Sequence, residues 1–193
     1  MVKPASIVER LDLHALFPRP QILEVELGSG DGSFIAQYAT LHPEKNFLAL
    51  ERLLGRLRKI NRKGLRAGLE NLRLLRLEAA YCVEYLFPPA SVNALHIYFP
   101  DPWPKRKHRK NRLVNERFVE LSRAVLQPGG IVYLRTDDAD YFAQMTTVFG
   151  THGGFQEVPT PLELHQVITD FEREFQRRGV TTLRGAYQLK LLT

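Results

Sequence analysis

Short apolar runs alternate with segments of helical spacing through the first 136 residues of the chain. The apolar runs are residues 22–27, 47–50, 72–77, 92–99 and 131–136, and the helical segments are residues 33–41, 53–69, 79–87 and 113–126. Strands that alternate with helices in this way form a parallel sheet that helices cover on both faces. The sequence therefore predicts an α/β fold with a doubly wound, mostly parallel sheet.

The rhythm changes after Gly150. Residues 154–158 and 186–192 have the pattern of two further strands, and a long irregular stretch that begins PTPLELHQ separates them. We expect a closing pair of strands around a functional insertion, with an antiparallel C-terminal strand. The length suits one domain and no repeat or linker divides the chain, so residues 1–193 are expected to form a single domain.

Composition excludes several classes of protein. The single cysteine, Cys82, permits neither an intrachain disulfide nor a thiolate metal cluster, and we interpret it as a small buried apolar residue. The six histidines lack metal-ligand spacing, so no metal is expected. The sequence shows no signal peptide and no run of membrane-spanning length, which favours a cytoplasmic protein. The sequence leaves open whether the protein is a monomer or a homodimer.

A glycine-rich turn follows the first predicted strand. Residues 26–32 read ELGSGDG, so Gly28, Gly30 and Gly32 form a G-x-G-x-G pattern. Glycines at a strand-to-helix turn let a ligand approach the bare backbone. The third glycine comes one residue earlier than in the dinucleotide fingerprint. This shorter form is typical of nucleoside-containing cofactors without a pyrophosphate, S-adenosylmethionine above all.

Carboxylates follow the predicted strands at the same edge of the sheet. Glu51 ends the second strand, Glu78 ends the third, and Asp101 follows the fourth. In doubly wound folds an acidic residue after the second strand accepts hydrogen bonds from ribose hydroxyls, and ligands bind at the carboxyl ends of the strands. Together with the glycines, these residues predict a pocket for a nucleoside cofactor.

Residues 98–112 read YFPDPWPKRKHRKNR. Three prolines restrict the backbone on either side of Asp101 and Trp103, which keeps that part of the loop stiff. We expect Trp103 to anchor the loop, with stacking on a base as the alternative. Residues 105–112 carry six Lys/Arg, and without them the 27 basic residues of the chain fall to 21, equal to its 21 acidic ones. This charge beside a carboxylate predicts a site for phosphates.

A second basic segment follows the second strand. Arg52, Arg56, Lys59, Lys63 and Arg66 recur at steps of three and four residues, so they lie on one face of the predicted helix. Charge runs of this kind usually form a solvated surface, and we interpret the stripe in that way, with a contact to RNA phosphates as the alternative.

The run FPDPWPKRKHRKNR, with ELGSGDG before it, resembles the bacterial tRNA (guanine-N7-)-methyltransferase family, whose members methylate guanine 46 in the tRNA variable loop. LRTDDADY at 134–141 resembles the threonine-aspartate motif of the family, and TDFEREFQRRG at 169–179 resembles its T-x-F-E motif. The match runs from about residue 24 to the C-terminus with the motifs in the expected order. It implies a Rossmann-like class I methyltransferase fold, S-adenosylmethionine as cofactor and tRNA as substrate.

The resemblance also implies roles for individual residues. Cofactor positions are Glu26, Glu51, Glu78 and Asp101. Substrate-binding positions are Lys105, Asp137, Thr169, Asp170, Phe171 and Glu172. The stretch implied in RNA contact comprises Lys107, His108, Arg109, Lys110 and Arg112. Glu78 departs from the family, in which many members have Asp at this position.

The chemistry of the implied reaction assigns a role to Asp101. Guanine N7 carries an in-plane lone pair and no hydrogen, so methyl transfer needs orientation rather than a strong base. We expect Asp101, assisted by Asp137 or Glu172, to accept hydrogen bonds from the guanine N1–H and amino group and so to select guanine. Two alternatives stay open. One is an amino-methyltransferase on adenine or protein glutamine; such enzymes have an N/D-P-P-aromatic motif after the fourth strand, and DPW matches it in part. The other is a non-catalytic RNA-binding module with a vestigial pocket.

Overall fold

The computed structural model describes residues 1–191, with a seven-stranded sheet at its centre. The strands are β1 (Leu23–Leu27), β2 (Asn46–Leu50), β3 (Leu72–Leu75), β4 (Val92–Tyr98), β5 (Leu126–Thr136), β6 (Phe155–Glu157) and β7 (Leu183–Leu189). Their order is β3-β2-β1-β4-β5-β7-β6, with β7 antiparallel to both neighbours. This confirms the predicted fold class and all seven predicted strands, although position 192 of the last one lies outside the described residues.

Helices cover both faces of the sheet. They are α1 (Ser33–Leu41), α2 (Leu54–Arg66), α3 (Ala79–Tyr81), α4 (Glu116–Val125), α5 (Ala139–Gly150), α6 (Leu162–Gln166) and α7 (Asp170–Arg177). One apolar cluster joins the sheet to α1, α2 and α6, and another joins it to α4 and α5. Strands β1 and β2 are buried along their whole length, as strands covered on both faces should be. Within residues 1–191 no helix is long and apolar enough to cross a membrane.

The sequence pattern missed helix α5. Its buried residues Tyr141, Met145 and Phe149 recur every four positions, and the side chain of Asp138 caps the helix by accepting from the backbone N–H of Tyr141 at 2.7 Å. Both features are helix signals. The stretch after residue 158, predicted to be irregular, likewise contains α6 and α7.

The C-terminal ends of two predicted helices differ from the prediction: one continues as a π-helix, and the other ends one residue early, where strand β5 begins. Residues 79–87 begin as α3 and continue as a π-helix over Cys82–Leu86, which buries Cys82. Burial raises the pKa of the Cys82 thiol to about 12, as expected for an inert core residue. Helix α4 ends at Val125, one residue before QPGG (residues 127–130). These four residues belong to β5, whose register with β4 shifts between the pairs Val92–Leu126 and Ala94–Ile131, so QPGG forms a bulge.

The strand order places a crevice above the centre of the sheet. The chain moves outward from β1 to β2 and β3, then returns to place β4 on the other side of β1. The connections after β1 and β4 therefore leave the sheet in opposite directions. Ligands of open α/β sheets bind at such a switch point, outside the carboxyl ends of the strands.

We expect Gly32→Ala to lower the free energy of unfolding by about 2–4 kcal/mol. Gly32 has φ +76°, where a side chain costs about 1–2 kcal/mol, and an added Cβ would lie 2.8 Å from the buried side chain of Ile60. Gly30→Ala is the matched control, since Gly30 has φ +55° but open space around it. Urea unfolding of both variants measures the difference. Equal destabilisation would contradict a packing role for Gly32.

Candidate active site

A cleft of about 530 Å³ opens at the carboxyl ends of β1 to β4. Four of the sequence-predicted residues line it: Gly28, Glu51, Glu78 and Asp101. Each comes from a different strand end, so parallel strand order alone brings them together. The volume lies within the range of about 300–1,000 Å³ that is usual for small-molecule sites.

The glycine loop reaches the cleft next to β2 through Gly28, whereas Gly30 and Gly32 lie outside the lining of the cleft. The backbone N–H groups of Gly28 and Ser29 both donate to the Leu50 carbonyl, at 3.0 and 2.8 Å. Gly28, Gly30 and Gly32 all have positive φ, a conformation that glycine adopts without strain. Nothing lies within 4 Å of where a Cβ would stand on Gly28 or Gly30. The loop therefore presents bare backbone, as the sequence predicted.

Glu51 fastens this loop from the end of β2. Its buried carboxylate accepts from the Gly30 N–H at 3.0 Å and from the Leu53 N–H at 2.7 Å. Glu51 thus shapes the glycine loop in addition to lining the cleft. Each carboxylate oxygen has a further lone pair available for a ligand hydroxyl.

Two glutamates of β1, Glu24 and Glu26, are buried in contrasting surroundings. Glu24 accepts from His96 at 2.8 Å and from Lys45 at 2.9 Å, and these contacts outweigh its burial and lower its pKa to about 2. The Oε2 atom of Glu26 has no hydrogen-bond partner within residues 1–191, and burial raises the pKa of Glu26 to about 8 despite Ser29 and Arg135. A buried oxygen without a donor is costly, so Glu26 could accept a hydrogen bond from a ligand, although its side chain lies outside the lining of the cleft.

Glu78 and Asp101 are exposed on the wall of the cleft. Glu78 caps α3 by accepting from the N–H groups of Ala80 and Tyr81, at 3.0 and 2.7 Å. Asp101 lies between Phe99 and Trp103, which have φ values of +51° and +44°. Left-handed backbone at residues other than glycine is strained and persists only where its surroundings impose it.

Arg112 is part of what fixes the Asp101 loop. Its buried guanidinium donates to the Pro102 carbonyl at 2.7 Å, to Gln144 at 2.8 Å and to Asp140 at 2.6 Å. It also stacks over Tyr141 at 4.7 Å. The expected RNA contact by Arg112 does not fit this position, because its side chain is buried and each of its three nitrogens donates to a protein oxygen. Arg112 joins the loop to α5.

The rest of the basic segment is a one-sided surface. Residues Arg106–Asn111 form a 3-10 helix with no buried residue. Arg109 pairs with Asp140 at 3.1 Å, and His108 packs edge-on against Trp103 at 5.9 Å between ring centres. Within residues 1–191 the remaining cations have no carboxylate partner: Lys105, Arg106, Lys107 and Lys110. Trp103 lines the cleft and is 36% exposed, so it contacts both the loop and the open space.

The T-x-F-E motif divides into buried and exposed residues. Thr169 and Glu172 form a capping box at the start of α7, with Glu172 fully buried. Glu172 also pairs with Arg135 at 2.8 Å and with Arg184 at 2.6 Å. The expectation that Thr169 and Glu172 bind substrate does not fit these positions, since their polar atoms are occupied internally.

The other predicted substrate residues lie outside the lining of the cleft. Asp170 donates its backbone N–H to Ser33 at the start of α1, at 2.9 Å, and its carboxylate pairs with Arg173 at 2.6 Å. Phe171 is half-exposed, with its ring centre 6.1 Å from that of Phe99. Lys105 and Asp137 are exposed. They remain candidates for contact with a large substrate.

The amino-acid sequence of this chain is similar to those of known proteins. A family model described as "Putative methyltransferase" matches residues 20–184. The tRNA (guanine-N(7)-)-methyltransferase of Syntrophotalea carbinolica is 34% identical over 182 residues, which cover 92% of this chain and 78% of that protein. The protein of the same name from Nitrosococcus oceani is 35% identical, with coverage of 88% and 72%. This chain belongs to the tRNA (guanine-N(7)-)-methyltransferase family.

Solved structures agree with this family in fold. The 16S rRNA methyltransferase KamB superposes with a TM-score of 0.66 at 18% identity, covering 94% of this chain and 95% of that one. An rRNA methylase from Streptococcus thermophilus gives a TM-score of 0.59 at 17% identity, with coverage of 88% and 87%. The methyltransferase sheet is therefore shared well beyond recognisable sequence similarity.

Sequence reasoning missed several residues of the site in this member of the tRNA (guanine-N(7)-)-methyltransferase family. Phe99, Asn111 and Leu113 line the cleft, and so do Arg52 and Arg56, which the sequence had placed on a solvated surface. Phe99 directly precedes Pro100 at the end of β4, and this position is a signal that a residue there would face the cleft. The two arginines gave none, because helical spacing defines a face without saying what it adjoins.

Glu26→Gln should change how stability depends on pH. Because the pKa of Glu26 is raised from 4.5 to about 8, the folded state keeps a proton that the unfolded state has released between these values. Its contribution to stability is present below pH 4.5 and is lost as pH rises through 8, with a slope of up to about 1.4 kcal/mol per pH unit. Gln carries no titrating proton and removes this loss.

Urea unfolding from pH 5 to 9 measures the effect as the difference between wild type and variant. Glu157→Gln, at an exposed position on β6, is the matched control. If the difference in free energy of unfolding from wild type changed with pH equally in both variants, a raised pKa at Glu26 would be contradicted.

Proposed function

We propose that this chain transfers a methyl group from S-adenosylmethionine to N7 of guanine 46 in the variable loop of tRNA. One observation carries the proposal: the cleft holds Gly28, Glu51, Glu78 and Asp101 together, and the exposed basic segment that follows contains four cations with no carboxylate partner among residues 1–191. The names of the relatives from Syntrophotalea carbinolica and Nitrosococcus oceani support the same substrate and the same atom.

The cleft fits the cofactor in volume and in chemistry. S-adenosylmethionine, when bound, supplies a methyl group on a positively charged sulfur. We assign Glu26 to its amino group, because the free Oε2 of Glu26 is a buried acceptor that needs a donor. Glu51 and Glu78 are assigned to its hydroxyl and adenine ends. Gly28 and Gly30 allow close approach of the ligand to the backbone, whereas Gly32 packs against Ile60 and supports the loop.

Asp101 is assigned to recognition of guanine. Guanine N7 needs no proton removed, so the contribution of the chain is to orient the base, and orientation can supply several kcal/mol of barrier reduction. A carboxylate accepts from both the N1–H and the amino group, and its charge favours the cation that methylation leaves on the ring. Asp137 is the assisting carboxylate of this proposal. Glu172 is set aside because Arg135, Arg184 and Thr169 occupy its oxygens.

The basic loop is assigned to the tRNA backbone through Lys105, Lys107, His108, Arg109 and Lys110. A variable-loop base has to leave its stack to reach a cleft, and enzymes that modify bases commonly extrude them. The half-exposed ring of Phe171, close to Phe99 at the cleft, and the face of Trp103 offer surfaces for such a base. Asp170 is retained as a second contact near the glycine loop.

Nucleoside analysis tests the proposed reaction. Unmodified tRNA incubated with the protein and labelled S-adenosylmethionine should yield N7-methylguanosine, and a tRNA with adenine at position 46 should accept no label. N6-methyladenosine, methylated protein or unlabelled RNA would each contradict the proposal.

Asp101→Ala should abolish methyl transfer and change the affinity for S-adenosylhomocysteine by less than about tenfold, equivalent to 1.4 kcal/mol. Asp101→Asn is the graded control: it keeps one acceptor oxygen and should retain a small part of the activity. Calorimetry measures cofactor binding in both variants. If cofactor binding disappeared together with activity, Asp101 would be a cofactor ligand and its role as guanine reader would be wrong.

A further inference from the structure

Helix α2 carries an unusually one-sided charge. Its thirteen residues include six Lys/Arg and no Asp or Glu, and it packs on the sheet through Leu57, Ile60 and Gly64. The cations form two rows on the outward surface. One row, here called the α2 stripe, comprises Arg56, Lys59, Lys63 and Arg66. The other comprises Arg58 and Arg62, roughly a quarter of the circumference away.

Most of these charges have no carboxylate partner in the described part of the chain. Lys63 pairs with Asp31 at 2.7 Å, whereas within residues 1–191 none of the other five cations pairs with a carboxylate. Like charges three and four residues apart destabilise a helix, and Arg56 stands in the first turn, where the helix dipole disfavours a cation. The chain itself leaves this destabilisation uncompensated, whereas a polyanion on the stripe would reverse it.

The α2 stripe begins at the cleft. Arg56 lines the 530 Å³ cleft together with Arg52, which precedes the helix. Lys63 and Arg66 line a separate groove of about 480 Å³ between α1 and α2, to which α7 contributes Arg173. From Arg56 to Arg66 the stripe spans about 15 Å along the helix axis, which is long enough to contact more than one phosphate of a single strand.

The sheet order places the stripe and the basic loop on opposite sides of the cleft. Helix α2 follows β2, on one side of β1, whereas residues 105–111 follow β4, on the other side. A base that enters the cleft between them has backbone on both sides of it. One rigid basic surface therefore lies on each side of the entering base.

We propose that the α2 stripe binds the phosphate backbone of the tRNA on the β2 side of the cleft, while the basic loop binds it on the β4 side. This inference rests on the proposed function, since the RNA is the substrate of that same cleft. It adds a second contact surface, which holds the RNA across the cleft instead of at one edge. Contacts to phosphates carry no sequence information, so we expect the contribution of the stripe to be independent of sequence.

A pair of double variants tests the proposal. Lys59→Gln with Arg66→Gln removes two charges from the stripe, and Arg58→Gln with Arg62→Gln removes two charges from the other row of the same helix. All four residues are exposed, none lines the cleft, and Gln is a good helix former. Both variants lose the same net charge, so a difference between them reports position alone.

The readout is the affinity for unmodified tRNA as a function of salt concentration. The stripe variant should show a slope of log K against log [salt] that is shallower by about 1–2, because each released phosphate contact contributes about 0.7–0.9. The control variant should stay within about 0.5 of wild type. The KM for tRNA should rise about tenfold or more in the stripe variant, with kcat and the affinity for S-adenosylhomocysteine within about twofold of wild type.

A loop variant, Lys107→Gln with Lys110→Gln, completes the design. Its change in slope should add to that of the stripe variant when the two are combined, because distant contacts are independent. Equal changes in the stripe and control variants would overturn the proposal in favour of a general electrostatic field. If the slope is unchanged in the stripe variant, and polyglutamate binds wild type but not the stripe variant, the proposal would be overturned in favour of an acidic protein partner.

The test also separates this inference from the proposed function. If wild type forms no N7-methylguanosine while the stripe variant alone loses salt-dependent tRNA binding, the reaction is wrong and the surface is right. If wild type forms N7-methylguanosine and the stripe and control variants are alike, the reaction is right and the surface is wrong.

Discussion

The buried pair between Arg135 and Glu172 joins the last third of the chain to the sheet. Arg135, at the end of β5, donates to Glu172 at 2.8 Å, to the Val167 carbonyl at 2.9 Å and to the Leu164 carbonyl. The second oxygen of Glu172 accepts from Arg184 of β7 at 2.6 Å. Arg135 thereby holds the end of α6, and the Glu172 carboxylate holds α7 against β5 and β7. Removing either member of such a pair leaves an unpaired buried charge, at a cost of about 3–5 kcal/mol.

Arg112 repeats this arrangement on the other side of the cleft. Like Arg135, it is buried, donates to a loop carbonyl and a carboxylate, and stacks on a tyrosine. The planar guanidinium suits this role because its donors point in fixed directions and its face packs on an aromatic ring. Each arginine fixes the chain next to an exposed residue of the site: Arg135 next to Phe171, and Arg112 next to Asp101. Precision at the candidate site therefore depends on cations that no ligand reaches.

The fold was predictable because its signals are local and repeated. Alternating apolar runs located all seven strands, and the glycines with the carboxylates at strand ends located the cleft. Whether a given side chain is buried or exposed was harder to predict from the sequence. Arg112 stands in a row of exposed cations, and only the position of Asp140 in α5, a helix that the pattern missed, makes it a buried one. Thr169 and Glu172 matched a functional motif, yet T-x-x-E is also a capping box, and that property decides their positions.

Net charge likewise cannot tell which basic segment carries the excess positive charge. Removing residues 105–112 balances the chain at 21 cations and 21 anions, but removing Leu54–Arg66 gives the same balance, since that helix also holds six cations and no anion. A sum cannot assign the excess to either segment. Pairing within residues 1–191 separates them: the loop loses Arg109 and Arg112 to Asp140, whereas the helix loses only Lys63 to Asp31. Four unpaired cations remain on the loop and five on α2, so the positive field around the cleft comes from both sides.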